Sequence, residues 1–212
     1  MSEGAARGKE GRFTSRLEAF SDLVFGFSLS LLATRLDVPA RVEDIFDPAR
    51  WFAVIGTFGL VCRFWLEHYR IFRHGFVAEV FDAVVNFIFL FAIAILPYTV
   101  QTFLRFFFAL PSFSLYVGDF MLILLTLGVL RMRSLQQRRA DPDVADRLRV
   151  WRRTVSQFVL GVLMGCLLIA LYLHGDTVSK GFAHFSFYIL VGFAGTLLCG
   201  RFLIRKLPAF LA

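Results

Sequence analysis

The chain has 212 residues, of which 58% are hydrophobic and 17% aromatic, and its formal net charge at pH 7 is +7. Charged residues make up only 18% of the chain, below the share of about 25% that is usual for soluble domains. This composition excludes an ordinary soluble domain and predicts a membrane protein. A separate soluble catalytic domain, which needs about 50 residues or more, has no room beside the apolar segments.

Six apolar segments approach the length of about 20 residues that a helix needs to cross a bilayer. They cover residues 20–38, 51–69, 80–104, 114–130, 155–174 and 182–204. The predicted fold class is therefore all-α, a polytopic membrane protein with six transmembrane helices. The predicted divisions are a cytoplasmic N-terminal tail (1–14), a six-helix transmembrane domain (15–206) and a C-terminal tail (207–212). The polar N-terminus runs into the first span without a small-residue cleavage site, so we expect this span to be retained.

Lys and Arg residues predict the orientation of these spans. Most of the 23 lie in the N-terminal tail, in the loops after spans two and four, and at the C-terminus. Cytoplasmic segments carry an excess of Lys and Arg, so both termini are predicted to be cytoplasmic. The largest group, the basic cytoplasmic loop 131–153, is interpreted as a topogenic segment that faces anionic lipid. The net charge is then explained by the lipid bilayer as a partner, without nucleic acid.

The first span opens with charged residues in RLEAFSD (16–22). Ser15 and Glu18 form a capping-box pattern, which predicts that this helix begins at Ser15. Asp22 then lies about 10 Å along the axis, beyond the cap and facing other helices. A charge at the centre of a span costs about 2.5–3.5 kcal/mol on insertion scales, so Asp22 requires a partner. Arg16 is six residues away, too far to pair with Asp22 along the helix.

His68 and Asn86 are the expected partners, because both lie near the cytoplasmic ends of their spans in this topology. Such side chains are more often structural hydrogen-bonding groups than catalytic ones. Other charged residues in or near the spans are Arg63, Glu67, Asp82 and Asp119. Two serines of span one leave alternatives open, since Ser28 and Ser30 can either face a pore or bond back to their own backbone carbonyls.

Three segments carry a resemblance to a known family. RLEAFSD fits the R-x-x-x-F-S-D signature that opens the first helix of the transmembrane protein 175 family of potassium channels. FWLEHYRIF (64–72) resembles the Trp-Leu-x-His stretch of that family's second helix, and NFIFLFAIAILPYT (86–99) resembles its Asn-to-Leu-Pro third helix. The resemblance extends over residues 12–105.

The resemblance implies a potassium-favouring cation channel. Its six-helix subunits would form a homotetramer in a prokaryotic cell membrane, and the first helix of each subunit would line one pore with potassium as the permeant ion. An apolar constriction would replace the carbonyl filter of other potassium channels. The implied polar network that holds the pore helix comprises Arg16, Phe20, Ser21, Asp22, His68 and Asn86, and the implied pore and gate residues are Phe27, Leu31 and Thr34.

The implied pore residues follow i, i+4 and i+7, so one helical face can present all three to an axis. Apolar constrictions of this kind can gate by dewetting. Phe27 departs from the isoleucine usual in that family, and Thr34 places a hydroxyl where the family has an apolar layer. Four phenyl rings at one level of a tetramer would close or reshape the pore.

Two other functions are open on the sequence alone. Asp22, His68 and Asp82 are titratable groups at membrane depth, which is typical of a proton or other ion pathway. A ring of Phe27 side chains is also compatible with a non-conducting membrane scaffold. An enzyme is the least expected class, since the sequence has no H-E-x-x-H, G-x-S-x-G, Walker or paired-cysteine motif, and we expect neither a cofactor nor a bound metal.

Small residues predict helix contacts in the second half of the chain. Gly161 and Gly165 form a G-x-x-x-G pattern on span five, which favours close helix packing. VGFAG (191–195) is faintly similar to the T-V-G-Y-G filter of other potassium channels. It lies in the middle of an apolar span without a separate pore helix before it, so it is interpreted as another helix-packing patch.

Overall fold

A computed structural model of the chain describes residues 2–34, 41–73, 76–106, 109–137 and 144–178. These residues form α-helices and one short 3₁₀ helix, and they contain no strand, which confirms the all-α prediction for the described part of the chain. In chain order the elements are α1 (Ser2–Thr34), the 3₁₀ helix (Val42–Phe46), α2 (Pro48–Phe72), α3 (Val80–Arg105), α4 (Leu110–Gln137) and α5 (Val144–Val178). Predicted span six and the filter-like segment 191–195 lie outside the described residues.

Four helical stretches in the described ranges are long and apolar enough to cross a membrane: Gly11–Thr34, Val80–Arg105, Leu110–Gln137 and Val150–Ala170. They coincide with predicted spans one, three, four and five. α2 covers predicted span two over 25 residues but is not one of the four. It carries Arg63, Glu67 and Arg70 among its apolar residues. Six membrane spans and cytoplasmic termini therefore stay predictions.

The chain divides into two compact units, Met1–Arg105 and Phe106–Ala212. In the first unit, α1 packs against both α2 and α3, and α2 packs against α3. In the second unit, α4 and α5 pack against each other along much of their length. The candidate network and pore residues all belong to the first unit, so their geometry is set by three helices.

The start of α1 differs from the prediction. The helix begins at Ser2, so the predicted capping box at Ser15 and Glu18 is wrong: Ser15 is an exposed residue of the helix interior. The residues before Ser15 include Ala, Lys, Glu and Arg, which are good helix formers and extend the helix towards the N-terminus. One of the two bonds of such a box occurs instead at α3, where Asp82 Oδ2 accepts the backbone N–H of Glu79 at 3.0 Å.

The predicted glycine contact of span five is confirmed in the second unit. A Cβ added at Gly161 would lie 3.0 Å from Leu125 Cδ2, and one added at Gly165 would lie 3.2 Å from Met121 Sδ. Both neighbours belong to α4. The two glycines therefore let α4 and α5 approach closely, as small residues do at helix contacts in membranes.

The same interface has a glycine on the opposite helix and one polar link. A Cβ at Gly128 of α4 would lie 3.1 Å from the ring of Phe158 in α5. Arg131 of α4 is buried and donates from Nη1 to Gln157 Oε1 of α5 at 2.9 Å. Close packing contributes to this contact, because Gly128, Gly161 and Gly165 each face an apolar side chain of the other helix.

Candidate functional site

A buried chain of hydrogen bonds joins the three helices of the first unit. His68 Nε2 of α2 lies 2.8 Å from Asn86 Oδ1 of α3, and Asn86 Nδ2 donates to Ser21 Oγ of α1 at 3.0 Å. Ser21 in turn donates to the carbonyl oxygen of Leu17 at 2.8 Å. Asn86 has its carbonyl oxygen towards His68, so Nε2 of the imidazole is the donor in this arrangement. Ser21, Asn86 and His68 together form what we call the buried triad.

Aromatic rings enclose the imidazole of the buried triad. The His68 ring stacks on Phe89 at a centroid distance of 5.4 Å with an interplanar angle of 1°. Phe72 stacks on it at 4.6 Å, and Phe25 of α1 lies tilted at 5.7 Å. Only 1% of His68 is exposed. The ring therefore fixes the geometry of three helices through both its edge and its faces.

Asp22 has a different partner from those expected. Its carboxylate is exposed, and Oδ1 accepts the indole N–H of Trp65 in α2 at 2.8 Å. Trp65 was missed as a site residue, because in the sequence it stands among apolar neighbours and counts as one more aromatic. The available signal is chemical, since an indole N–H in an apolar segment requires an acceptor. Asp22 therefore forms a second link between α1 and α2, separate from the buried triad.

Arg16 and Phe20 lie at the edge of this arrangement. Arg16 is exposed and, within the described residues, makes no hydrogen bond or ion pair with the buried triad. It borders an open depression of about 500 Å³ together with Arg12, Phe13 and Ser15. Phe20 is 48% exposed and meets Phe87 of α3 edge to face, with ring centroids 5.8 Å apart.

The implied pore residues lie on a face of α1 that α2 and α3 leave open. Phe27 is 61% exposed, Leu31 is half-buried and Thr34 is exposed. At 3.6 residues per turn these three positions fall within an arc of about 60°. The Thr34 hydroxyl donates to the carbonyl of Leu31 at 3.0 Å. The buried face of the same helix consists of Thr14, Leu17, Ser21, Phe25, Ser28 and Leu32.

The two serines left open by the sequence behave differently. Ser30 is exposed and donates to the carbonyl of Gly26 in its own helix at 3.1 Å. Ser28 is fully buried and donates across to the carbonyl of Ile93 in α3 at 2.8 Å. Neither sequence alternative for Ser28 included a partner on another helix. This bond is a further contact that fixes α1 on α3.

The remaining charged residues near the site have local partners. Glu67 is buried, and its Oε1 accepts from Arg70 at 2.9 Å and lies 3.6 Å from Arg63 Nη2. Asp82 is buried at the start of α3, where it caps the helix through Glu79. Among the residues that the structure describes, no three His, Cys, Asp or Glu side chains come together as a metal site requires.

Comparison with known proteins adds two findings. Residues 16–97 match the model of a family described as the endosomal/lysosomal potassium channel TMEM175. The structure resembles that of a variant of the potassium channel MtTMEM175 in complex with a nanobody–MBP fusion protein, with a TM-score of 0.66 and 17% sequence identity over 90% of this chain and 94% of that chain. At this identity the structural likeness shows a common fold. No curated protein matches the chain.

Proposed function

We propose that this chain is a member of the TMEM175 family of potassium channels, whose model matches residues 16–97, and that it is a potassium-favouring cation channel whose pore is lined by α1. Four copies surround the pore in a prokaryotic cell membrane. The observation that carries the proposal is the division of α1 into two faces. One face is bonded to α2 and α3, and the other presents Phe27, Leu31 and Thr34 away from them.

A pore-lining helix needs firm support on one side and an open surface on the other. The buried triad and the bond between Asp22 and Trp65 support α1 from α2 and α3. In membranes, where lipid is as apolar as the helices, such interhelical hydrogen bonds and close packing hold helices together. The same contacts keep the open face of α1 in a constant direction, which a constriction of defined width requires.

The open face supplies layers of different chemistry. Phe27 forms an apolar aromatic layer, which excludes water and can gate by dewetting. Thr34 lies about 10 Å further along the axis. Its hydroxyl hydrogen is given to Leu31, so the lone pairs of the hydroxyl oxygen are available to a cation that has lost part of its water shell. With a cytoplasmic N-terminus, Phe27 is the layer nearer the cytoplasm.

A proton pathway has less support from the geometry. His68 uses Nε2–H to hold the amide of Asn86, and an amide is not a proton carrier at ordinary pH. Asp82 accepts a backbone N–H and caps α3. Asp22 accepts from an indole. Each of the three titratable groups therefore has a structural partner.

The test is potassium flux into liposomes that contain the purified protein, under an imposed potassium gradient. We expect flux in the parent and faster flux in Phe27→Ala, because removing the rings widens and wets the constriction. A tenfold change would correspond to about 1.4 kcal/mol of barrier. The matched control is Phe91→Ala, since Phe91 of α3 is also 61% exposed but is not on α1.

Each outcome separates the alternatives. A change of flux in Phe27→Ala but not in Phe91→Ala supports the pore assignment. Flux only in Phe27→Ala identifies a channel fold that its phenylalanine rings keep shut. Equal flux in the parent and Phe27→Ala contradicts the assignment of the constriction, and flux in neither favours the scaffold. A current that follows the pH gradient and ignores potassium would favour the proton pathway.

A further inference from the structure

The hydrogen bond from Ser28 meets α3 at a point where that helix lacks a donor. In an α-helix the carbonyl of residue 93 accepts the N–H of residue 97. Residue 97 is a proline inside α3, and proline has no N–H. Ser28 Oγ lies 2.8 Å from the Ile93 carbonyl oxygen and donates to it. The hydroxyl of α1 thus replaces the donor that Pro97 removes from α3.

The other serines of α1 show that this arrangement is specific. Ser21 donates to Leu17 and Ser30 donates to Gly26, each four residues back in the same helix. This is the usual local bond of a helical serine. Ser28 could form the same bond within α1 but donates to α3 instead. A carbonyl without a donor in an apolar environment raises the free energy of the folded state, so the bond from Ser28 to Ile93 is favoured over a bond within α1.

From these contacts we infer that Ser28 is a positioning residue for the pore helix: its bond to Ile93 fixes the rotation of α1 about its axis and so determines that Phe27, Leu31 and Thr34 face the pore. Phe27 is the residue directly before Ser28, and neighbouring residues of a helix differ by about 100° in direction. Holding Ser28 on α3 therefore sets the direction of Phe27. This inference rests on the proposed function.

The bond also gives α1 a reason to resist rotation about its axis. If the helix rotates, the hydroxyl can turn to the carbonyl four residues back, but the Ile93 carbonyl then loses its donor. In the structure the hydrogen bond satisfies both groups, and because Ser28 and Ile93 are fully buried, water cannot replace it. Rotation of α1 would therefore leave the Ile93 carbonyl without a donor and raise the free energy of the protein. This cost exists because Pro97 supplies no N–H to that carbonyl.

The test uses four variants in liposomes, with the ratio of potassium to sodium flux as the readout. Ser28→Ala removes the donor, Ser28→Thr keeps it, and Pro97→Ala supplies an N–H to Ile93 from within α3. We expect Ser28→Ala to change the flux ratio by about threefold, a factor typical of one interhelical hydrogen bond. Ser28→Thr should keep the parental ratio. In Pro97→Ala/Ser28→Ala the ratio should equal that of Pro97→Ala alone.

Ser30→Ala is the matched control, since Ser30 lies two residues further on and bonds within α1. A loss of folding or assembly alone would lower both fluxes together and leave their ratio unchanged. A parental ratio in Ser28→Ala overturns the inference while the proposed channel function stands. An equal effect of Ser28→Ala with and without Pro97 overturns it as well, because the Ile93 carbonyl is then not the mediator.

Thermal unfolding in detergent separates a failure of the inference from a failure of the proposed function. Loss of one buried hydrogen bond should lower the midpoint of Ser28→Ala by about 2–4 °C, and Pro97→Ala should abolish that difference. Absence of cation flux in both the parent and Phe27→Ala overturns both the channel function and the positioning of a pore. The melting comparison then supports or contradicts the bond between α1 and α3 by itself.

Discussion

The two units of the chain solve the same packing problem with different chemistry. In Met1–Arg105, hydrogen bonds from side chains link α1, α2 and α3, and a buried imidazole lies at their centre. In Phe106–Ala212, α4 and α5 meet through glycines that face Leu, Met and Phe side chains. Hydrogen bonds between helices fix rotation, because donor and acceptor must point at each other. Glycine contacts chiefly fix distance.

The proposed function gives this difference a meaning in the first unit. If α1 lines a pore, it must present selected residues to an axis, so its rotation matters, and the polar links do occur around α1. The contact of α4 with α5 is the close packing of small residues that is common between membrane helices. The family match at residues 16–97 lies within the first unit. Specific donors and acceptors leave a recognisable pattern, whereas many apolar sequences can pack equally well.

The largest effect is expected at the centre of the first unit. Asn86→Leu removes both the acceptor of His68 and the donor to Ser21, while the side chain keeps the same number and branching of heavy atoms. Leaving buried polar groups without partners should lower the free energy of unfolding by about 2–4 kcal/mol. The measurement is unfolding in mixed detergent micelles. Gln136→Leu, an exposed change from amide to leucine on α4, is the control, and equal stability of the two variants would contradict the role of the buried triad.

An intermediate effect is expected in the second unit. Gly161→Val places methyl groups against Leu125, where even a Cβ would lie at 3.0 Å. Overpacking of this kind costs about 1–3 kcal/mol. The control is Gly118→Val on α4, because a Cβ there meets nothing within 4 Å and the intrinsic cost of valine in a helix is the same. If both variants unfold at the same detergent concentration, the close approach of α4 and α5 is not stabilising.

The smallest effect is expected at the exposed link between Asp22 and Trp65. Trp65→Phe removes the indole donor, and Asp22→Ala removes the acceptor. A double-mutant cycle should give a coupling of about 0.5–1.5 kcal/mol for this hydrogen bond. Asp22→Asn keeps a side-chain oxygen that can accept from the indole, so it should stay close to the parent. A coupling of zero would mean that this contact does not hold α1 against α2.

Much of the fold follows from local patterns. The apolar runs correctly predicted the helices at spans one, three, four and five, because length and composition decide whether a helix can cross a bilayer. The spacing of Gly161 and Gly165 also correctly predicted a close helix contact, because residues i and i+4 lie on one helical face. The capping box was misplaced because good helix formers before Ser15 continue the helix to Ser2.

Part of the candidate site was predictable from the sequence, but its connections were not. His68, Asn86 and Ser21 were expected to be structural polar groups, and they bond to one another. Arg16 and Asp22 were expected to bond to these residues as well. Which side chains meet depends on the rotation of each helix, and the sequence does not give that rotation. Asp22 meets Trp65 instead, and Arg16 is exposed beside Arg12.

The sequence by itself determined that this protein is helical and apolar enough for a membrane, and that polar residues recur at defined positions of its first three helices. Only the tertiary structure decided which of them meet. Ser28 is the clearest case, because its sequence context allows a bond within α1, while the missing N–H of Pro97 lies in another helix, 69 residues further along the chain. Hydrogen bonds depend on distance and direction between helices, and a one-dimensional pattern records neither.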